Sequence, residues 1–216
     1  MTKNLPLSIY LHFPFCDKKC PYCDFNSHVR EKIDLKAYAE AYRQEISYFA
    51  KALGKRQIKS IFFGGGTPSL MPAWLVNDLL DNLAKPFNFS EEIEITLEAN
   101  PHSSALTYFK ALKAAGINRL SLGIQALDDK ALKFLGRLHD KSAGLAAIKA
   151  ASQVFSNYSS DFIYGRAGQD LTAWEAELKQ ILALKVPHYS LYQLTIEKGT
   201  SFYQDHRAGK FIMPDQ

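Results

Sequence analysis

The sequence predicts an α/β fold built on a parallel sheet. Short runs rich in β-branched and aromatic residues alternate along the chain with segments that carry apolar residues at helical spacing. Such alternation is typical of βαβ units, in which a helix connects two parallel strands. The periodicity alone does not distinguish a sheet that closes towards a barrel from an open, doubly wound sheet.

Six runs are predicted to be strands because each is short and rich in residues that favour extended backbone. They cover residues 8–12, 60–63, 93–97, 119–124, 161–164 and 189–194.

Five helices are predicted between the strands, at 35–53, 74–83, 104–115, 142–151 and 174–184. Pro72 stands close to the first turn of the second helix, and Gly116 ends the third. Thr172 and Glu175 have the spacing of a capping box at the start of the fifth.

Composition indicates one globular domain. The chain has 216 residues, of which 47% are hydrophobic, and it lacks low-complexity tracts. Its net charge of +4 comes from scattered residues, so no nucleic-acid partner is expected. No run is long and apolar enough for stable membrane insertion, and the N-terminus lacks a secretory signal pattern, so we expect a cytoplasmic protein.

Polar and glycine-rich segments follow the predicted strands. The carboxyl ends of parallel strands meet at one edge of a sheet, so these segments are expected to lie close together. They are the cysteine loop 16–23, the glycine run 64–68, the pair Glu98 and Asn100, and Gln125.

All three cysteines of the chain form a CxxxCxxC loop, at Cys16, Cys20 and Cys23. Thiolates select zinc or iron-sulfur clusters, and three of them leave one coordination position of a four-iron cluster open. Two alternatives remain at this point. His12 or His28 could complete a zinc site, or the thiols could be inert.

Several motifs together resemble the radical S-adenosylmethionine (SAM) superfamily, and within it the branch of haem chaperones related to oxygen-independent coproporphyrinogen III dehydrogenase. The resemblance begins with YLHFPF and the cysteine loop through DFNSH at 24–28. It continues through GGGTP at 64–68, EANP at 98–101, LGIQ at 122–125, LGR at 135–137, DFIYG at 161–165 and YSLYQL at 189–194.

The resemblance implies a partial (β/α)6 barrel that carries two cofactors. A [4Fe-4S] cluster would be held by Cys16, Cys20 and Cys23, and SAM would chelate its remaining iron. In catalytic relatives the cluster supplies the electron that cleaves SAM. The residues implied to contact SAM are Tyr10, Tyr22, Gly65, Gly66, Thr67, Glu98, Gln125, Arg137 and Asp161.

For function, the resemblance implies a chaperone that binds haem as cargo and hands it to an acceptor protein, with an electron donor as a further partner if radical chemistry persists. The alternatives are the coproporphyrinogen III dehydrogenase reaction and a small metal-stabilised binding module. Phe25 stands where the dehydrogenase carries a further cysteine, and only 15 residues precede the cysteine loop. Both features favour the chaperone, so dehydrogenase activity is not expected.

The chain departs from the family pattern in two places. Ala167 replaces a proline that would stiffen the loop at 165–169, which predicts a less rigid loop. The sequence also ends where family members continue into a C-terminal domain. We therefore expect residues 1–216 to be the radical SAM core of a truncated or split-gene product, with haem delivery impaired.

Overall fold

A computed structural model describes residues 5–101 and 105–214. Its strands are β1 (Leu7–Phe13), β2 (Phe15–Cys16), β3 (His28–Val29), β4 (Gln57–Gly65), β5 (Asn88–Ala99), β6 (Arg119–Gln125), β7 (Asn157–Tyr164) and β8 (His188–Gln193). Its helices are α1 (Leu35–Leu53), α2 (Ala73–Ala84), α3 (Ala105–Ala114), α4 (Asp129–Phe134), α5 (Lys141–Val154), α6 (Leu171–Ala183) and α7 (Ser201–Arg207), with a 3₁₀ turn at Pro68–Leu70.

Six strands form one sheet in the order β1-β4-β5-β6-β7-β8, and every neighbouring pair is parallel. Strands that follow chain order in this way are singly wound, as in a barrel. Across the described part of the chain, β8 does not pair with β1, so the barrel is partial. The predicted fold class, a partial (β/α)6 barrel, is confirmed.

The main core lies between the sheet and the helices. Alternate residues of β4, such as Ile61 and Phe63, are buried, as are Leu75 and Leu79, one turn apart on α2. This matches a strand period of two against a helix period near four. Truncating one of these leucines to alanine costs roughly 2–5 kcal/mol in typical cores.

The opposite, concave face of the sheet carries small and polar side chains. Ser121 on β6 donates to Asp161 on β7, with 2.7 Å between Oγ and Oδ2. Ser159 Oγ lies 3.1 Å from Ser121 Oγ. This face therefore forms a polar hollow that leads to the carboxyl ends of the strands.

All six predicted strands and five predicted helices are present, with ends that differ by a few residues. The capping box at Thr172 is wrong. Helix α6 begins at Leu171, and the side chain of Asp170 caps it by accepting from Ala173 N at 2.7 Å. An aspartate directly after a turn is an effective N-cap, so it starts the helix earlier.

The predicted start of α3, Ser104, lies outside the described residues. Two short helices, α4 and α7, and the two-residue strands β2 and β3 were not predicted. Elements of this length are too short to show hydrophobic periodicity. Across the residues that the structure describes, no helix has the length and hydrophobicity needed to span a membrane.

Candidate functional site

The cysteine loop lies at the carboxyl end of β1. It is closed by the short parallel pairing of β2 with β3 and by a hydrogen bond of 2.7 Å from His28 N to Pro14 O. Cys16 is 8% exposed, and Cys20 and Cys23 are half-buried. All three are free thiols, and Cys23 N donates to Cys20 O at 3.1 Å. The three thiols thus lie on one compact loop.

The side chain of Lys19 holds this loop together. Lys19 Nζ donates to the carbonyl oxygens of Phe25, at 3.0 Å, and Ser27, at 3.3 Å. Ser27 is 3% exposed, and its hydroxyl has no hydrogen-bond partner. Burial raises the pKa of Cys23. A positively charged metal bound there would favour its thiolate, as at metal sites in general.

The glycine loop after β4 packs directly against the cysteine loop. Gly66 N donates to Phe13 O at 2.7 Å, and Thr67 N donates to Phe15 O at 2.8 Å. Gly65 N faces Glu98 Oε2 at 3.3 Å. These three amides therefore already have partners within the protein. The loop can offer a ligand its carbonyl oxygens and a close approach of its backbone.

Glycine is required in this loop for two reasons. Gly65 has a φ of +117°, which side-chain-bearing residues rarely adopt. A Cβ added at Gly66 would lie 2.9 Å from Cys16 Sγ. The absent side chains therefore let the backbone approach the first thiol of the cysteine loop.

Two carboxylates face the hollow. Burial raises the pKa of Glu98 to about 7; donation from Gly65 N opposes this change, and the charge of Asp161 adds to it. Burial also raises the pKa of Asp161. Asp161 Oδ1 is buried without a partner, although Oδ2 accepts from Ser121. An unpartnered buried oxygen costs free energy, so it is suited to receive a donor from a ligand.

Gln125 ends β6 with a φ of +69°, unusual for a residue other than glycine. It lies at a register shift between β6 and β7. Backbone strain of this kind clusters at functional sites and is maintained by the surrounding structure.

Arg137 reaches the cysteine loop from the segment after α4. Its Nη1 donates to Cys20 Sγ at 3.6 Å. Its Nη2 donates to Asn100 Oδ1 and, at 3.0 Å, to Gly123 O. The remaining donor, Nε, is buried without a partner. The two terminal nitrogens of the guanidinium, Nη1 and Nη2, are thus engaged by the protein itself.

The two predicted aromatic contacts occupy different surroundings. Tyr10 is 57% exposed, and its ring stacks on Phe62 with centroids 6.1 Å apart. Tyr22 is half-buried within the cysteine loop and packs against Phe202 of α7. Tyr10 can therefore meet a ligand in the hollow, whereas Tyr22 lies beside Cys20 and Arg137.

The histidines proposed for a zinc site are already engaged. His12 Nε2 lies 2.9 Å from Asn26 O, and its Nδ1 lies 3.2 Å from Tyr10 Oη. His28 Nε2 lies 3.1 Å from Asn26 Oδ1. Within residues 5–101 and 105–214, no three His, Cys, Asp or Glu side chains, the three cysteines included, converge as ligands of a single metal ion. To join the cysteines as zinc ligands, His12 or His28 would have to give up the contacts described above.

Two supporting residues were not predicted from the sequence. Lys19 stabilises the cysteine loop, and His139 has Nε2 3.0 Å from Ile124 O. Asn100, which was expected among the polar residues after the strands, holds the guanidinium of Arg137.

The sequence matches the radical SAM superfamily over residues 10–181, which is most of the chain. The chain belongs to the radical SAM superfamily. Among curated relatives, this radical SAM chain is 40% identical to "Heme chaperone HemW" of Haemophilus influenzae over 94% of its own length and 54% of the relative's. It is 36% identical to the mitochondrial "Radical S-adenosyl methionine domain-containing protein 1" of Bos taurus, over 96% of this chain and 47% of that protein.

A solved structure of coproporphyrinogen III oxidase (HemN) from Escherichia coli, described as a radical SAM enzyme, superimposes with a TM-score of 0.86 at 28% identity. The superposition covers 99% of this chain and 49% of that one. This radical SAM chain therefore spans about half the length of the relatives that it matches.

The residues present fit the cofactors implied by membership of this superfamily, a [4Fe-4S] cluster and SAM. Three free thiols lie on one loop. The glycine loop packs so closely beside them that a Cβ added at Gly66 would contact Cys16 Sγ. Two buried polar atoms, Arg137 Nε and Asp161 Oδ1, lack protein partners.

Proposed function

We propose that this chain is the cofactor-binding core of a HemW-like haem chaperone, with a [4Fe-4S] cluster and SAM as bound cofactors and haem as cargo. The single observation that carries the proposal is the packing of the cysteine loop on the glycine loop at the mouth of a partial barrel. Hydrogen bonds from Gly66 N and Thr67 N to the residues around Cys16 join the two loops.

Cys16, Cys20 and Cys23 would hold the cluster, whose chemistry when bound is one-electron transfer to SAM. The residues toward SAM would be Tyr10, Tyr22, Gly65, Gly66, Thr67, Glu98, Gln125, Arg137 and Asp161.

The roles of these residues follow from their surroundings. Burial raises the pKa of Glu98 to about 7, so about half of these carboxyl groups are ionised at neutral pH, and a cationic ligand group beside Glu98 would favour the ionised form. Asp161 Oδ1 would accept a further donor. Tyr10 offers an exposed aromatic face for stacking beside Phe62.

Haem binding and transfer are proposed for this chain because it is similar to proteins named haem chaperones. The identity is 40% to the protein of Haemophilus influenzae and 38% to that of Escherichia coli. An acceptor protein is part of the proposal, as is an electron donor if radical chemistry persists. A cytoplasmic location, and the assignment of 1–216 as a radical SAM core domain, stay predictions.

Oxidation of coproporphyrinogen III is the second candidate, favoured by the structural similarity to HemN. Phe25 argues against it, because this residue, 60% exposed beside the cluster loop, stands where a further cysteine is expected in that enzyme. The third alternative, a metal-stabilised module, does not account for the polar residues Glu98 and Gln125 near the ends of β5 and β6, or for Asp161 on the next strand, β7.

Anaerobic reconstitution followed by iron and sulfide counting tests the cluster, and electron paramagnetic resonance with and without SAM tests the second cofactor. We expect about four irons per chain and a spectrum perturbed by SAM. Cys16→Ala, Cys20→Ala and Cys23→Ala should each lose the cluster, whereas Lys18→Ala, an exposed change in the same loop, should retain it. A tetrahedral zinc site with no sulfide would overturn the proposal.

Haem titration of the reconstituted chain, followed by transfer to an apo-haemoprotein, tests the chaperone role. Saturable haem binding is expected without turnover of coproporphyrinogen III. Turnover of that porphyrinogen would transfer support to the second candidate. Repeating the transfer assay with a C-terminal segment from a relative supplied separately tests the expected impairment, which full-strength transfer by this chain alone would contradict.

A further inference from the structure

We infer that Arg137 tunes the reduction potential of the cluster by donating a hydrogen bond to the sulfur of Cys20. This inference rests on the cluster proposed above. It assigns Arg137 a role toward the cluster, in addition to the SAM contact that the resemblance implies.

The guanidinium is held in a single orientation. Nη2 donates to both Asn100 Oδ1 and Gly123 O, so the end of the side chain is anchored to β6 and to the segment after β5. At the backbone, Arg137 N donates to Leu132 O at 2.9 Å. With these anchors in place, Nη1 points to Cys20 Sγ at 3.6 Å.

The neighbouring residues press this segment against the cysteine loop. Gly136 has a φ of +69°, and a Cβ added there would lie 2.5 Å from Pro21 Cδ. Phe202 N, at the start of α7, donates to Pro21 O at 2.9 Å from the other side. The contact between Arg137 and Cys20 is therefore built into the packing of three segments and does not depend on a mobile surface cation.

The effect on the cluster has a definite sign. Reduction adds one negative charge to the cluster, and a fixed cation with a hydrogen bond to a ligand sulfur stabilises the more negative state. Partial burial of Arg137 strengthens this interaction, because water screens it less. Removing the guanidinium should therefore make the cluster harder to reduce.

The test is a redox titration of the reconstituted chain, monitored by electron paramagnetic resonance in the absence of SAM. Arg137→Gln should lower the reduction equilibrium constant about tenfold, equivalent to about 59 mV for one electron. Arg137→Lys keeps the charge but loses the fork, so its shift should be smaller. Asn100→Ala, which frees Nη2, should shift the potential in the same direction.

Lys133→Gln is the matched control, since it removes a cation at the end of α4 that is exposed to solvent. Its potential should equal that of the unmodified chain. A potential unchanged in Arg137→Gln, with normal iron and sulfide content, overturns the inference. So does complete loss of the cluster in both Arg137 variants, because Arg137 would then hold the loop instead of tuning the cluster. Absence of a cluster in the unmodified chain is a failure of the proposed function and is distinguishable from both.

Discussion

Arg166 and Glu177 form a buried ion pair between the loop that follows β7 and helix α6. Their side chains are 8% and 9% exposed. Glu177 Oε1 also accepts from Leu127 N at 2.9 Å, and Oε2 accepts from Gln169 Nε2 at 2.9 Å. The carboxylate of Glu177 thus joins the segment after Gln125 to the loop at 165–169. This contact restrains the loop, which was predicted to be less rigid because Ala167 replaces a proline.

Breaking this pair is predicted to be costly. Glu177→Ala leaves Arg166 charged and buried without its partner, so unfolding in urea should show a loss of about 3–5 kcal/mol. Glu177→Gln retains an acceptor for Leu127 N and should lose less. Glu175→Ala, an exposed change two positions earlier on α6, should lie within about 0.5 kcal/mol of the unmodified chain. Equal losses at positions 175 and 177 would contradict this account.

Two glycines with similar backbone angles allow the cost of an unfavourable backbone conformation to be measured apart from the cost of a steric contact. Gly136 and Gly168 have φ of +69° and +73°, but a Cβ would meet Pro21 at Gly136 and nothing within 4 Å at Gly168. Gly168→Ala should cost about 1–2 kcal/mol for the left-handed conformation alone. Gly136→Ala should cost more and also reduce cluster loading, measured as iron per chain. A smaller loss at Gly136 would show that the cysteine loop simply moves aside.

Glu98 is predicted to lower stability as the pH rises. Its pKa is raised to about 7 in the folded protein, above the ordinary value of 4.5. The stabilising contribution is thus present below pH 4.5 and is lost as the pH rises through 7. Glu98→Gln does not titrate and so lacks this loss. The free energy of unfolding of Glu98→Gln minus that of the unmodified cluster-free chain should therefore be roughly 1–3 kcal/mol larger at high pH than at low pH.

The measurement is urea unfolding at pH values on either side of this window. Glu92→Gln, at an exposed position of the same strand, is the control and should show no such gain. Parallel pH profiles for Glu98→Gln and the unmodified chain would refute the burial argument. In the same variant, SAM affinity of the reconstituted chain should fall, because the anionic acceptor is absent.

His139 should lower the stability of the fold at acid pH. Burial, together with the charge of Arg137, lowers the pKa of His139 to about 4 from 6.5. The unfolded chain therefore binds a proton that the folded chain excludes, and stability falls as the pH drops from 6.5 towards 4. His139→Gln can keep a donor towards Ile124 O without titrating, so thermal unfolding should depend less on pH in this window. His188→Gln, at an exposed position of β8, should leave the profile unchanged.

Much of the fold was accessible from sequence. The six long strands, the five long helices and the parallel arrangement follow from periodicity, because each of these elements is long enough to show its pattern of buried residues. The three cysteines and the polar segments after the strands could also be located. Local pattern does not report the partner of a side chain, which is why the contact of Arg137 with Cys20 was not predicted.

By itself the sequence determined which residue types stand at the strand ends, and with them the superfamily, since the CxxxCxxC spacing and the motifs are properties of local order along the chain. The tertiary structure decided the choice between a barrel and an open sheet, and the pairings of Arg137 with Cys20 and of Glu177 with Arg166. These depend on contacts between residues far apart in sequence or in separate elements. Only packing of the helices and the sheet brings such residues to hydrogen-bonding distance.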